Sequence, residues 1–202
     1  MIALALVTYL VLGDSTAAGV GGEYEQGIAR ATTRELERTQ QVAMHNVAVS
    51  GARIKDVLEE QLPRAAHLRP DLVLLSVGAN DVTHLTAVRS MRANLREIVR
   101  RLRAANPDVA IVITGSPDMG SPPRVPRLLR GLASWRTKQV NRMFVEEANA
   151  LGLTFAPIAA ETGPLFRRDR SLFAADRFHP NERGYATWIA VLNRALAAAQ
   201  ER

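Results

Sequence analysis

Leu72-Val73-Leu74-Leu75-Ser76-Val77-Gly78-Ala79-Asn80-Asp81 is the stretch on which the fold turns. Its opening residues are apolar with no polar alternate, as in a strand covered on both faces. A glycine, an amide and a carboxylate follow at once. Val109-Ala110-Ile111-Val112-Ile113 repeats the apolar pattern. Working outward, strands are expected at Ala3–Leu12, Gln41–Val47, Leu72–Ser76, Val109–Thr114 and Leu153–Ala156. Longer amphipathic stretches lie between them, and that alternation predicts an α/β domain with a parallel sheet.

Val88, Met91, Leu95, Ile98, Val99 and Leu102 form one stripe at helical spacing, with Arg89, Arg92, Arg96, Arg100 and Arg103 on the other faces. Asn106-Pro107 should end that helix. A second is predicted over Leu132–Leu151 with Gly152 as its stop, and a third over Glu182–Gln200 with Asn181 as N-cap. Ser116–Pro126 and Ala160–Asn181 read as long functional loops, not as domain boundaries. The whole of 1–202 is therefore expected to form a single domain.

Composition narrows the chemistry. With 47% hydrophobic and 23% charged residues, the chain has the balance of a soluble globular protein, and it has no cysteine for a disulfide, a thiolate nucleophile or a Cys-based zinc site. Met1-Ile2-Ala3-Leu4-Ala5-Leu6-Val7 has signal-peptide character, but no positive n-region precedes it and it runs straight into Gly13-Asp14-Ser15. It is read as a buried strand. The chain as given is expected in the cytoplasm, and secretion through a leader removed upstream is compatible with the same reading. No stretch has about 18 uninterrupted apolar residues, so no membrane span is expected. The net charge of +6 raises nucleic acid as a partner, but aromatics are only 5% of the chain. The arginines are read as solvated helix faces, and no nucleic-acid partner is expected.

Right-handed crossovers bring the strand-to-helix loops to one sheet edge, where open α/β sheets place their chemistry. Ser15 follows the first strand there, with Thr16, Ala17, Ala18 and Gly19 leaving it room. Near the far end, Asp176 precedes His179 by three residues, close enough to orient the imidazole through Nδ1 and leave Nε2 as base. Serine, imidazole and carboxylate are the components of a serine nucleophile. Asn46-Val47-Ala48-Val49-Ser50-Gly51 offers a glycine N–H to an oxyanion, and Asn80 offers a side-chain amide. His45, His67 and His84 lack metal-ligand spacing, so no metal is expected.

These four segments, in this order and spanning nearly the whole chain, resemble the SGNH (GDSL-type) hydrolases, esterases and lipases. The resemblance implies Ser15 as nucleophile, His179 as base and Asp176 as its orienting acid. It implies an oxyanion hole of the Ser15 and Gly51 N–H groups and the Asn80 side chain. The implied fold is a three-layer α/β/α sandwich with a flavodoxin-like five-stranded parallel sheet. Thr16 stands where the family name has leucine, which bears on pocket shape more than on mechanism. No Gly-x-Ser-x-Gly elbow surrounds any serine, and Gly19-Val20-Gly21-Gly22 lacks both the third glycine of a dinucleotide fingerprint and the Lys-Ser/Thr of a P-loop.

The expected reaction is hydrolysis of a small-molecule ester, of short-to-medium acyl length or a thioester, through an acyl-Ser15 and without cofactor. Walls are expected from Met119 and Pro122 on one side and from Leu165, Phe166, Phe173 and Phe178 on the other. An acyltransferase using the same acyl-enzyme is the alternative within enzymes. A carbohydrate- or acyl-binding module and a basic nucleic-acid or membrane-surface adaptor are the alternatives outside them. Oligomeric state is written in no motif.

Overall fold

The computed structural model describes residues 6–201. Five strands make one sheet: β1 (Leu6–Gly13), β2 (Gln41–Asn46), β3 (Leu72–Ser76), β4 (Ala110–Ile113) and β5 (Thr154–Phe155). All pairs are parallel and the order is β2-β1-β3-β4-β5, the flavodoxin-like arrangement. The expected strands agree to within about two residues at their described ends. The part of the first one before Leu6, with the opening signal-like run, lies outside the described residues.

Among the described residues seven helices connect and cover the sheet: α1 (Ile28–Leu36), α2 (54–64), α3 (Ala79–Thr83), α4 (Val88–Ala105), α5 (Arg130–Leu151), α6 (Ile158–Arg168) and α7 (Glu182–Gln200). Successive strand residues point to opposite faces. Tyr9, Val11, Leu72, Leu74 and Val112 therefore pack with α1 and α7, while Leu10, Leu12, Val73, Leu75, Ile111 and Ile113 pack with α2, α4 and α5. Both faces are dry, which is why β3 and β4 lack polar alternation.

The α4 stripe is the buried face of that helix, from Met91 to Leu102. Asn181 caps α7 by accepting the Gly184 N–H, and Gly152 ends α5 in the left-handed conformation. One expectation fails. Ala160–Asn181 is not a continuous loop, because α6 runs to Arg168. Gly163-Pro164 locally disfavours a helix, yet Ile158, Thr162 and Phe166 recur every four residues and bury one face. That burial outweighs the N–H missing at Pro164, whose fixed φ suits a helix.

The arginines of α4 are mostly neutralised. Arg92 and Arg96 converge on the buried Glu147 of α5 at 2.5 and 2.6 Å, and Glu97 holds Arg100 and Arg101. No helix among the described residues is long and apolar enough to cross a membrane.

Candidate active site

The sheet order reverses between β1 and β3, and the crevice at their carboxyl ends is where an open α/β sheet leaves room for a ligand. β1 ends at Gly13, whose N–H and carbonyl are both held by Gln61 of α2, at 2.9 and 2.8 Å. The chain then turns through Asp14. The Asp14 carboxylate accepts the Thr16 N–H and the Thr16 hydroxyl, and that hydroxyl also meets Ser76 Oγ at 3.1 Å. Thr16 thus belongs to a buried polar network under the turn as well as to the cleft lining. Ser15, between them, is left with a free N–H among the described residues.

A hairpin-like loop after α6 brings the other groups. Ala174 N–H bonds to the His179 carbonyl at 2.8 Å and Asn181 N–H to the Leu172 carbonyl at 2.9 Å. At its tip Asp176 Oδ1 accepts the Phe178 and His179 N–H groups, while Oδ2 meets His179 Nδ1 at 2.5 Å. His179 Nε2 in turn lies 2.8 Å from Ser15 Oγ. One carboxylate therefore shapes the loop with one oxygen and orients the imidazole with the other. Burial works to raise the Asp176 pKa, but His179 and the two backbone donors outweigh it and hold the carboxyl below its ordinary value.

The loop can sit this close because Gly21, at φ +110°, carries no side chain. A Cβ there would lie 2.3 Å from the Pro180 carbonyl oxygen and 2.8 Å from His179 Cβ. The glycines that were expected to give Ser15 room also give room to the base. Tyr185 of α7 reaches back to donate to the Val20 carbonyl, tying the two loops together.

Asn80 lies in the first turn of α3, not in a loop. Its Nδ2 donates to the Ala52 carbonyl at 3.1 Å, which fixes the amide and leaves one N–H over. Gly51 has φ +86° at the third position of the Val49–Ala52 turn, closed by the Ala52 N–H to the Val49 carbonyl. Its N–H has no acceptor among the described residues, and Val49 N–H ties the same turn to the Gly13 carbonyl at 3.1 Å. Gly51 stands outside the cleft lining.

Ser15, Asn80 and His179 line one cleft with Met119, Pro122, Phe166 and Phe178. Five of the six residues named for the walls are in it, Phe173 included, while Leu165 is exposed to solvent. Trp188, which the sequence reading passed over, also lines the cleft from the buried face of α7. Asp118 pins the Met119–Pro122 wall: it accepts Ser134 Oγ and Arg167 Nε, each at 2.7 Å. Gln61 and Tyr185 were likewise missed, and Asn46, quoted at the head of the segment 46–51, was given no role of its own. Asn46 donates to the Ala17 carbonyl at 2.9 Å across 29 residues of chain.

A serine hydroxyl against an imidazole whose far nitrogen rests on a carboxylate can be deprotonated as it attacks. The comparisons identify the family and the fold. The model of the GDSL-like lipase/acylhydrolase family matches residues 11–187. The GDSL-like esterase Rv1075c of Mycobacterium tuberculosis is 31% identical over 199 residues, covering 96% of this chain and 62% of the relative, so the chain spans less than two thirds of that protein. Among solved structures, the psychrotrophic esterase EstA from Pseudoalteromonas, inhibited by monoethylphosphonate, superposes with a TM-score of 0.73 at 20% identity, covering 96% of this chain and 99% of its own. Phospholipase A1 from Streptomyces albidoflavus gives 0.71 at 22%, covering 95% and 100%. At such identities these two structures speak for the fold.

Proposed function

Because this chain belongs to the GDSL-like lipase/acylhydrolase family, we propose that it is a single catalytic domain hydrolysing carboxylic esters through an acyl-Ser15 intermediate. The observation that carries this reading is the unbroken run from Ser15 Oγ to His179 Nε2 at 2.8 Å and from His179 Nδ1 to Asp176 Oδ2 at 2.5 Å.

Ser15 Oγ attacks the ester carbonyl as His179 Nε2 takes its proton. The oxyanion so formed is met by the Ser15 N–H, the Gly51 N–H and the free N–H of Asn80. His179 gives the proton to the departing alcohol, then removes one from water as it attacks the acyl carbonyl, and returns that proton to Ser15 Oγ as the acyl–Oγ bond breaks and the acid leaves. Asp176 stays ionised and stabilises the imidazolium through Nδ1–H. The apolar walls favour a short-to-medium acyl group, as ester or thioester.

The test is initial rates on p-nitrophenyl esters from acetyl to palmitoyl, wild type beside Ser15→Ala, together with labelling by a fluorophosphonate. Turnover and labelling should both vanish in the variant. Equal rates in the two proteins would reject Ser15 as nucleophile.

A further inference from the structure

Net charge and exposed apolar surface concentrate on the same element, the entry into α5. Leu128, Leu132 and Trp135 follow the i, i+4, i+7 spacing that usually marks a buried helix face. Here they are 97%, 57% and 54% exposed, and Leu129 beside them is 51% exposed. Arg136 donates to the carbonyl of Thr86, the neighbour in sequence of the exposed Leu85. An exposed apolar face of this kind marks an interaction surface.

Its charge is as one-sided as its hydrophobicity. Residues 119–145 hold six cations (Arg124, Arg127, Arg130, Arg136, Lys138 and Arg142) and no Asp or Glu, which equals the whole net charge of +6. None of the six forms an ion pair among the described residues, whereas the arginines of α4 facing α5 are paired. The arginines were read as solvated helix faces; the six that carry the net charge fall in one stretch of chain that holds no carboxylate of its own.

The patch adjoins the cleft. Arg130 donates to the Val125 and Pro123 carbonyls, one residue beyond the wall residue Pro122. Arg124 N–H bonds to the Arg177 carbonyl at 3.0 Å, beside Asp176 and His179.

We propose that this face docks on an anionic lipid surface, with Leu128, Leu132 and Trp135 entering the headgroup–acyl boundary and the arginines on the lipid phosphates. Apolar side chains flanked by unpaired cations are the chemistry of interfacial binding. Each cation near such a surface contributes roughly five-fold in affinity. Docking would hold the cleft mouth at the lipid, but it does not depend on the hydrolase reading.

The chain provides its own probe. It has two tryptophans, Trp135 exposed and Trp188 buried in the cleft wall, so an emission change on binding that Trp135→Phe abolishes reports Trp135. Titrating the full chain with phosphatidylcholine vesicles containing phosphatidylglycerol should shift emission to the blue and sediment the protein. Pure phosphatidylcholine should do neither, and high salt should weaken the effect. The doubly substituted L128E/L132E, checked for native circular dichroism, should lose vesicle binding by at least ten-fold yet turn over dissolved p-nitrophenyl acetate like wild type. Absence of a shift and of sedimentation with anionic vesicles would overturn the proposal, as would binding unchanged in L128E/L132E. A dimer that this variant converts to monomer, without vesicle binding by wild type, would assign the face to a second copy instead. Failure of wild type on the soluble ester alongside vesicle binding would reject the hydrolase reading and leave the docking face standing.

Discussion

Gln61 grips Gly13 with both ends of its amide, Oε1 accepting the N–H at 2.9 Å and Nε2 donating to the carbonyl at 2.8 Å. The glutamine is buried, lies in a π-helical turn of α2, and is 48 residues from its partner. Ser15 is two residues beyond the gripped glycine. Gln61→Leu would leave the Gly13 N–H buried without an acceptor, while Val49 N–H still reaches its carbonyl. A loss of about 1–3 kcal/mol in urea unfolding is expected, with a fall in kcat as the strand end loosens.

Asp176→Asn should fold and fail. The amide oxygen can still accept the Phe178 and His179 N–H groups, but the amide NH2 then faces His179 Nδ1. The imidazole must accept there, which puts its proton on Nε2 and removes the base facing Ser15. A loss in kcat of ~10²–10⁴ with an unchanged melting temperature is the expected result. Full activity would reject Asp176 as the orienting acid.

Asn80→Ala should lower kcat by roughly 10²–10³ at little cost in KM, the usual loss for one oxyanion donor. Gly51→Ala is the companion. Nothing lies within 4 Å of a Cβ at Gly51, so its penalty comes from φ +86° alone, about 1–2 kcal/mol. Relaxation of the turn would carry the Gly51 N–H away from the oxyanion, and kcat should fall with stability. Steady-state kinetics on one soluble ester, beside denaturant curves, separates the two effects.

Burial pushes the Asp14 carboxyl from 3.8 up to about 6, against the Thr16 hydrogen bonds and the attraction of His179, with the like charge of Asp81 adding to the rise. Between those values the folded chain keeps a proton that the unfolded chain has lost. The stability contributed by Asp14 is thus fully present below the unfolded value and is lost as pH rises through about 6. Asp14→Asn removes that slope. The variant should gain on wild type by up to about 3 kcal/mol as pH climbs through this window, read from urea midpoints across pH.

The local sequence was enough for the sheet and for half of the site. β3 and β4 could be read because strands buried on both faces are apolar throughout, α4 because its stripe lies within one helix, and the start of α7 because its cap is the residue just before it. Asp176 and His179 could be read as a pair because three residues of chain already bring them together. The α6 helix was misread because Gly163-Pro164 is a local signal, while the burial that overrides it comes from α7 and the sheet. The cationic stretch 119–145 was legible in the sequence, but its meaning was not, since pairing of the other arginines depends on carboxylates such as Glu147 more than 50 residues away.

By itself the sequence determined the parallel α/β class, the strand positions and the chemical types gathered at one sheet edge, because these follow from periodicity and short-range spacing. Only the tertiary structure decided which side chains meet. Gln61 on Gly13, Asn46 on Ala17, Tyr185 on Val20 and Ser15 against His179 across 164 residues are all contacts made when the sheet order brings distant loops together. It also decided that Leu128, Leu132 and Trp135, spaced like a core, face outward. Spacing dictates which residues share a helix face, but what that face meets is set by how the helices pack.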